Sequence, residues 1–273
     1  MNIQKRINAL RSAMIQKGID IYIIPTADFH HSEYVGDYFK FREYMTGFTG
    51  SAGTAVFTRK KARLWTDGRY FIQAEQQLAG SGIDLYRSGE PGVPSIEEFL
   101  EKELQEGQIL GFDGRTISYE EGTSYRQLAE QKHASVNFLQ NLASEIWTDR
   151  PDLPSEPAFL LEDQYTGEGI ESKLTRVRLK MKEYGCDTHI LSSLDDIAWL
   201  FNIRGNDIAY CPLVLMQSFI MIQLNFLLIH LNFQIHFCSF LLNSRLFCIL
   251  MKKFMILCPN LTKIRPFCLI PGS

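Results

Sequence analysis

Residues 65–71 combine side chains that could recognise an anionic or carbonyl group. The segment reads Trp-Thr-Asp-Gly-Arg-Tyr-Phe, so an Asp-Gly turn is followed directly by an arginine among aromatic rings. The guanidinium is a fork of hydrogen-bond donors that suits a carboxylate or a peptide carbonyl. Because a cation at the start of a helix is unfavourable in the field of the helix dipole, Arg69 needs an anionic partner. That partner is either a bound ligand or a neighbouring acid, and the residue pattern leaves both open.

A second polar segment, Asp-Phe-His-His-Ser-Glu-Tyr at 28–34, follows the first predicted strand. Sites in α/β proteins tend to lie at the carboxyl ends of strands, and these residue types could bind a metal. One strand end supplies two or three ligands at most, and no second cluster completes the shell. We therefore favour helix capping by Asp28 or Ser32, with Glu33 stabilised by the helix dipole.

The run from Gly47 to Gly53 has the spacing G-x-x-G-x-x-G. It precedes a predicted strand, whereas a dinucleotide-binding or phosphate-binding loop follows a strand and opens a helix. The run therefore predicts a glycine turn with close backbone packing.

Two adjacent acids, Asp195 and Asp196, begin a predicted helix after Ser193. Paired carboxylates could serve general acid–base catalysis. As first-turn residues behind a serine N-cap they are more simply partners of the helix dipole. The sequence contains no G-x-S-x-G, no H-E-x-x-H and no convincing nucleophile–base arrangement, so the residues themselves indicate no catalytic centre.

Composition narrows the class of protein. The chain has 273 residues, 45% hydrophobic and 22% charged, which predicts about two globular domains and excludes collagen-like, disulfide-scaffold and wholly disordered chains. A net charge of −3 argues against nucleic acid as the partner. Only Cys186 and Cys211 occur in the first 215 residues, and the amino terminus leads into an amphipathic helix without a secretory signal. We therefore expect a cytoplasmic protein.

Short apolar runs bounded by turns alternate with segments of helical spacing over residues 1–150, which form one predicted domain. The predicted strands are 19–25, 54–58, 62–66, 83–86, 109–112 and 135–138. The predicted helices are 3–16, 33–46, 69–78, 95–104, 118–131 and 141–147. This alternation predicts an α/β fold in which helices pack on a mixed sheet.

A second unit follows a linker at 151–157, a segment that contains three prolines. Residues 158–215 predict a long helix at 168–184, a strand at 188–191 and a short helix at 194–201. They amount to less than half of another domain of the first type. We therefore expect an incomplete second α/β domain.

The composition changes at residues 216–273, which hold five basic residues, no acidic residue and no alanine. The break falls inside a domain rather than at a linker, which favours out-of-frame or read-through translation. A membrane anchor is the second interpretation, since residues 216–244 carry no formal charge and about 20 apolar residues span a bilayer. Polar side chains on every face of that segment oppose insertion, so a membrane partner is not expected. A binding module is the third interpretation.

Five segments, taken together and in order, resemble the amino-terminal part of cytosolic Xaa-Pro aminopeptidases, which are relatives of creatinase and prolidase. They are Asp28-x-His30-x-Ser32-Glu33-Tyr34, Gly47-Phe48-x-Gly50-Ser51-Ala52-Gly53-Thr54-Ala55, Trp65 to Phe71, Ile146 to Pro151, and Ile197-Ala198-Trp199-Leu200-Phe201-Asn202-x-Arg204-Gly205. The resemblance covers residues 1–215. Cys211 stands where the family usually has asparagine, a mild departure.

The resemblance implies a function. In that family a third domain binds two manganese ions and releases the amino-terminal residue of peptides with proline at the second position. The first domain helps to form a dimer and lends one arginine of the W-T-D-G-R-Y-F segment to the peptide-binding site, a role that falls here on Arg69. No metal-ligand set can be assigned in this sequence. We therefore expect the chain to bind no cofactor, to dimerise and contact substrate, and to be inactive as a hydrolase on its own.

Overall fold

The computed structural model describes residues 2–154, 156–221, 225–229 and 246–250. The chain divides into two compact units, Met1–Asp152 and Leu153–Ser273. The unit boundary falls within the proline-containing segment. The further division of the second unit into a truncated domain and a distinct tail stays a prediction.

The first unit contains a six-stranded mixed sheet in the order β4-β3-β2-β1-β5-β6. Its strands are β1 (Ile21–Pro25), β2 (Thr54–Thr58), β3 (Ala62–Thr66), β4 (Asp84–Arg87), β5 (Ile109–Phe112) and β6 (Ser135–Asn137). Strand β2 runs antiparallel to both of its neighbours, β1 and β3, and the other neighbouring pairs are parallel. The predicted α/β fold with a mixed sheet is confirmed.

Helices cover both faces of this sheet. They are α1 (Ile3–Gln16), α2 (Phe41–Thr46), α3 (Phe71–Leu78), α4 (Ile96–Glu103), α5 (Tyr119–Gln131) and α6 (Ala143–Ile146). Side chains alternate between the faces along each strand. Tyr22 and Ile24 therefore pack in one core cluster with α1, α2, α3 and α6, while Ile21 and Ile23 pack in another with α4 and α5.

The predicted helix at 33–46 is wrong over its first half. The structure has a single 3-10 turn at Asp37–Phe39, and α2 begins only at Phe41. No helix begins at Asp28 or Ser32, so the predicted capping role is also wrong. The oxygen Oδ1 of Asp28 instead accepts the backbone N–H groups of His30 and Ser32 at 2.8 and 3.0 Å, which closes a turn at the end of β1.

The second unit contains a four-stranded sheet in the order β12-β11-β10-β8 and a two-stranded ladder of β7 and β9. Its elements are β7 (Phe159–Leu160), α7 (Asp163–Thr166), α8 (Ile170–Glu183), β8 (Thr188–Leu191), α9 (Leu194–Leu200), β9 (Ile203–Arg204), β10 (Met216–Met221), β11 (Asn225–Ile229) and β12 (Leu246–Leu250). Strand β10 pairs antiparallel with β8 and with β11, and β11 pairs parallel with β12.

A buried lysine orders the core of the second unit. Lys173 is 1% exposed, and its Nζ donates to the carbonyl of Trp199 at 2.7 Å and to Oδ1 of Asn202 at 2.6 Å. Asn202 ends α9 with a positive φ of 50°, a conformation that asparagine adopts more readily than most residues. The lysine therefore joins α8 to the end of α9.

No helix within the described part of the chain combines the length and the apolar character that a membrane crossing requires.

Candidate functional site

Three of the polar segments meet at one edge of the first sheet. Pro25 at the end of β1 pairs with Thr54 at the start of β2, and Thr54 pairs in turn with Trp65 near the end of β3. The loops after β1 and β3 therefore lie beside the glycine loop that leads into β2. The sequence had favoured helix capping for the segment after β1, and the strand register places that segment beside the arginine turn after β3.

Arg69 is bound by a neighbouring acid, as one of the two sequence interpretations required. The Oδ1 atom of Asp67 accepts the backbone N–H and the Nε–H of Arg69 at 3.0 Å each, and its Oδ2 accepts Nη2–H at 2.8 Å. The hydrogen bond to Arg69 lowers the pKa of Asp67, and it raises the pKa of Arg69. Helix α3 begins at Phe71 rather than at residue 69, so the turn and not the helix orients this arginine.

Arg69 nevertheless stays available to a ligand. Its side chain is 62% exposed and that of Asp67 is 41% exposed. Among the described residues, Nη1 of Arg69 has no hydrogen-bond partner, so one side of the guanidinium still presents donors to solvent. The charge of Glu33, in the segment after β1, also raises the pKa of Arg69.

Tyr70 connects the arginine turn to the glycine loop. The guanidinium carbon of Arg69 lies 5.2 Å from the centre of the Tyr70 ring, and the Tyr70 hydroxyl is 2.7 Å from Oγ of Ser51. A Cβ atom added to Gly50 would stand 2.8 Å from Cδ1 of Tyr70, and one added to Gly53 would stand 2.9 Å from the carbonyl oxygen of Trp65. The predicted glycine turn with close backbone packing is therefore confirmed.

A buried arginine, which sequence reasoning missed, binds backbone carbonyls of the glycine loop. Arg42 is 3% exposed, donates from Nε to Oγ1 of Thr26 at 2.9 Å, and donates from Nη1 and Nη2 to the carbonyls of Phe48 and Gly50. Burial lowers the pKa of Arg42 to about 10, which keeps it charged at neutral pH. The sequence carries no sign of this role, because an arginine in a short polar helix is usually exposed.

The segment at 28–34 does not form a metal site in this structure. Asp28 is fully buried and its Oδ1 is occupied by two backbone N–H groups of the turn. Within the described ranges, no three side chains of histidine, cysteine, aspartate or glutamate come together as metal ligands. The residues present therefore do not fit a two-metal centre.

The paired acids of the second unit lie on its surface. Asp195 and Asp196 are exposed in the first turn of α9, where the backbone N–H of Asp196 donates to Oγ of Ser193. The predicted N-cap at Ser193 is confirmed. The charge of Asp196 acts on His189 of β8, whose pKa is lowered by burial and only partly raised again by Asp196. The exposed first-turn position of both acids fits partners of the helix dipole.

Comparison with known proteins gives matches along both units. A family model described as the creatinase/prolidase N-terminal domain matches residues 6–146, and a second model of the same description matches residues 149–232. Aminopeptidase P2 of Arabidopsis thaliana is 38% identical over 228 residues, covering 82% of this chain and 32% of the relative. The Xaa-Pro aminopeptidase app-1 of Caenorhabditis elegans is 37% identical over 220 residues, covering 80% of this chain and 35% of the relative.

The solved structures include one close match. The crystal structure of X-prolyl aminopeptidase from Caenorhabditis elegans, described as a cytosolic enzyme with a di-nuclear active site, matches with a TM-score of 0.88 and 32% identity. The match covers 96% of this chain and 45% of that chain. The chain thus spans about a third of the length of the curated relatives it matches.

Proposed function

Since the chain belongs to the creatinase/prolidase N-terminal domain family, and matches the amino-terminal part of Xaa-Pro aminopeptidases, we propose that it supplies the peptide-contacting and dimer-forming part of such an enzyme. The reaction it serves is release of the amino-terminal residue from a peptide whose second residue is proline. The substrate class follows from the relatives named above.

The exposed guanidinium of Arg69 is the observation on which the peptide contact rests. Its Nε and Nη2 are committed to Asp67, while Nη1 remains open toward solvent within the described part of the chain. A planar donor held by a carboxylate needs little further ordering before it binds a peptide carbonyl or carboxylate. Tyr70 and Ser51 beside it add an aromatic face and hydroxyl groups, which suits a peptide better than an isolated anion.

We assign hydrolysis to a part of the enzyme other than the described residues of this chain. The neighbouring Caenorhabditis elegans enzyme is described as having a di-nuclear active site, and the resemblance implies manganese as the metal. Here the described carboxylates and imidazoles form no such ligand set. In this proposal the chain holds and orients the peptide, and another part of the enzyme activates water.

Dimerisation and a cytoplasmic location complete the proposal. The exposed side chains of Tyr119, Phe138 and Leu139 lie at or next to α5 and the edge strand β6, and they offer apolar area for a second copy. The low cysteine content of residues 1–215, which hold only Cys186 and Cys211, is compatible with a reducing compartment, and the Caenorhabditis elegans relative is described as cytosolic.

The proposal is tested with the full chain, in the presence and absence of manganese chloride. A peptide of the sequence Ala-Pro-Ala-Ala-Ala-Ala is added, and release of free alanine is measured beside the NMR signal of the Arg69 Nε–H. We expect a saturable shift of that signal and no release of alanine. Release of alanine by the chain alone would overturn the assignment of hydrolysis elsewhere, and an unresponsive Arg69 signal would overturn the peptide contact.

A further inference from the structure

The arginine turn at the end of β3 has a counterpart at the end of β5. The tripeptide Asp-Gly-Arg occurs at 67–69 and again at 113–115. In the second copy, Oδ1 of Asp113 accepts the backbone N–H of Arg115 at 3.1 Å and its Nε–H at 3.0 Å, while Oδ2 accepts Nη2–H at 2.7 Å. These three bonds repeat those between Asp67 and Arg69 to within 0.1 Å.

Both turns lie at the same edge of the sheet. Strands β3, β1 and β5 are parallel to one another, because β2 is antiparallel to β1 and to β3. The carboxyl ends of β3 and β5 are separated by three strand spacings, or about 14 Å. That distance is about four residues of extended peptide.

A second cation lies beside Arg115. The Nε–H of Arg150 donates to the carbonyl of Tyr38 at 2.8 Å, and its guanidinium carbon lies 3.6 Å from the centre of the Tyr38 ring. Arg150 forms no ion pair with a described carboxylate, and burial lowers its pKa; the charge of Arg115 acts in the same direction, whereas Tyr38 and Asp113 oppose it. Two guanidinium groups therefore share one carboxylate, that of Asp113, which leaves a net positive charge.

Aromatic rings hold these cations in place. The guanidinium carbon of Arg115 lies 4.7 Å from the centre of the Phe29 ring, and Phe29 packs edge-on against Tyr38 at 6.4 Å. The side chain of Arg115 is 42% exposed, so it is positioned by its neighbours and still reachable from solvent. Rigid, partly desolvated cations bind a carboxylate more strongly than free surface arginines do.

The space at this point limits the size of the ligand. A cavity of about 30 Å³ at the carboxyl ends of β1 and β5 is lined mainly by apolar and aromatic side chains, and Asp113 and Arg150 are among its polar members. It is too small for a whole peptide and Arg115 does not line it, so a ligand of Arg115 binds at the surface. A terminal group presented from solvent is the ligand that fits.

From the paired Asp-Gly-Arg turns, the unmatched charge of Arg150 and the spacing between the turns, we infer that Arg115 and Arg150 bind the carboxylate of a peptide whose preceding residues contact Arg69. The inference rests on the proposed function, which supplies the peptide. Strands β1 and β5 are parallel neighbours whose chain connections leave toward opposite sides of the sheet, a position where α/β sheets commonly bind ligands.

The test uses the full chain and follows the NMR signals of the arginine Nε–H groups. The probes are sodium acetate and the peptide Ala-Pro-Ala-Ala-Ala-Ala with either a free carboxylate or a carboxamide end. Ala-Pro-Ala with a free carboxylate is the length control, since it is too short to reach from Arg69 to Arg115. The variants are Arg115→Gln, the charge-conserving Arg115→Lys, and Arg126→Gln, which changes an exposed arginine of α5.

We expect the hexapeptide with a free carboxylate to bind about tenfold more tightly than its amide, the effect of one charge-assisted contact. This preference should vanish in Arg115→Gln, persist partly in Arg115→Lys and remain complete in Arg126→Gln. Acetate should shift Arg115 and Arg150 saturably in the unmodified chain.

Equal affinities for acid and amide while the Arg69 signal responds would overturn the inference and leave the proposed function intact. A preference that survives in Arg115→Gln would overturn it as well. If no peptide shifts the NMR signal of Arg69, the proposed function fails. The acetate titration then tests the anion site by itself. Saturable shifts of the Arg115 and Arg150 signals would support that site, and their absence would overturn it.

Discussion

Asp67 binds Arg69 through both carboxylate oxygens and leaves the guanidinium more than half exposed. Such a pair adds little to stability, because exposed ion pairs are screened by water. Its effect is on geometry, since the side chain of Arg69 is already ordered before any ligand arrives. Asp67 therefore orients Arg69 for a ligand and contributes little to the stability of the fold.

Replacing Asp67 by asparagine removes the charge that orders Arg69. We expect peptide affinity to fall several-fold while the melting temperature stays unchanged, because both partners are exposed. NMR titration and thermal unfolding measure the two effects. Glu183→Gln is the matched control, since it breaks the exposed pair of Glu183 with Lys180 in the second unit. Unaltered peptide affinity in Asp67→Asn would contradict the positioning role.

Replacing Arg42 by methionine keeps most of the volume and removes every donor. The carbonyls of Phe48 and Gly50 then lose their buried partner, and we expect the first unit to lose about 2–5 kcal/mol of unfolding free energy. Hydrogen exchange of the amides at 48–53 should accelerate first. Arg126→Met, at an exposed position, should change stability by less than about 0.5 kcal/mol. Equal effects of the two variants would refute the support role of Arg42.

Replacing Gly50 by alanine places a methyl group against two rings, closest to Cζ of the buried Phe48 and 2.8 Å from Cδ1 of Tyr70. Both rings must move, and we expect the hydrogen bond between Ser51 and Tyr70 to break and the peptide affinity to fall. Near-ultraviolet circular dichroism and peptide titration measure these changes. Gly122→Ala is the control, because its nearest contact is 3.7 Å and alanine favours the helix by about 1 kcal/mol. A Gly50→Ala chain with unchanged tyrosine signals would argue against the close contact.

The carboxylate of Asp207 should make the stability of the second unit depend on pH. Burial raises its pKa above the usual 3.8, although two backbone N–H groups, of Glu156 and Leu215, act in the opposite direction. The folded state therefore holds the Asp207 proton at a higher pH than the unfolded state does. The stabilisation that this proton gives the folded state is complete below about pH 3.8 and is lost as the pH rises through the raised pKa.

Asp207→Asn cannot take up that proton. The stability of the unmodified chain relative to the variant should therefore improve as the pH falls from 7 to 4, as measured by urea unfolding followed through the NMR signal of the Trp199 indole N–H. At neutral pH the variant should lose about 1–3 kcal/mol, since one buried N–H group loses its acceptor. A difference that is constant across this range would show that the pKa of Asp207 is not raised.

Much of the first unit could be predicted from local patterns. The strands at 54–58 and 62–66 are short runs flanked by turn residues and buried over nearly their whole length, and their predicted bounds are confirmed without change. The prediction at 33–46 failed although Ser32 and Glu33 resemble a helix start, because Asp28 binds the backbone of a turn there and Phe39 is buried within a 3-10 turn. Local spacing carries no information about such long-range contacts.

The site was predictable only in part. The W-T-D-G-R-Y-F segment drew attention to Arg69, and the structure supplies the Asp67 contact that the spacing had left open. The repeated Asp-Gly-Arg tripeptide was visible in the sequence, yet its meaning depends on β3 and β5 being parallel. Arg42 gave no sequence signal, because its acceptors are backbone carbonyls of another loop.

The most direct measurement is made in a chimera in which residues 1–232 of this chain replace the matching part of the Caenorhabditis elegans X-prolyl aminopeptidase. We compare the unmodified chimera with its Arg69→Ala variant and with the surface control Arg126→Ala. The two quantities measured are the turnover of an Ala-Pro peptide and the metal content. The account predicts that Arg69→Ala lowers kcat/KM about tenfold, chiefly through KM, with metal content unaltered and the control unaffected. Unchanged kinetics in Arg69→Ala would contradict it.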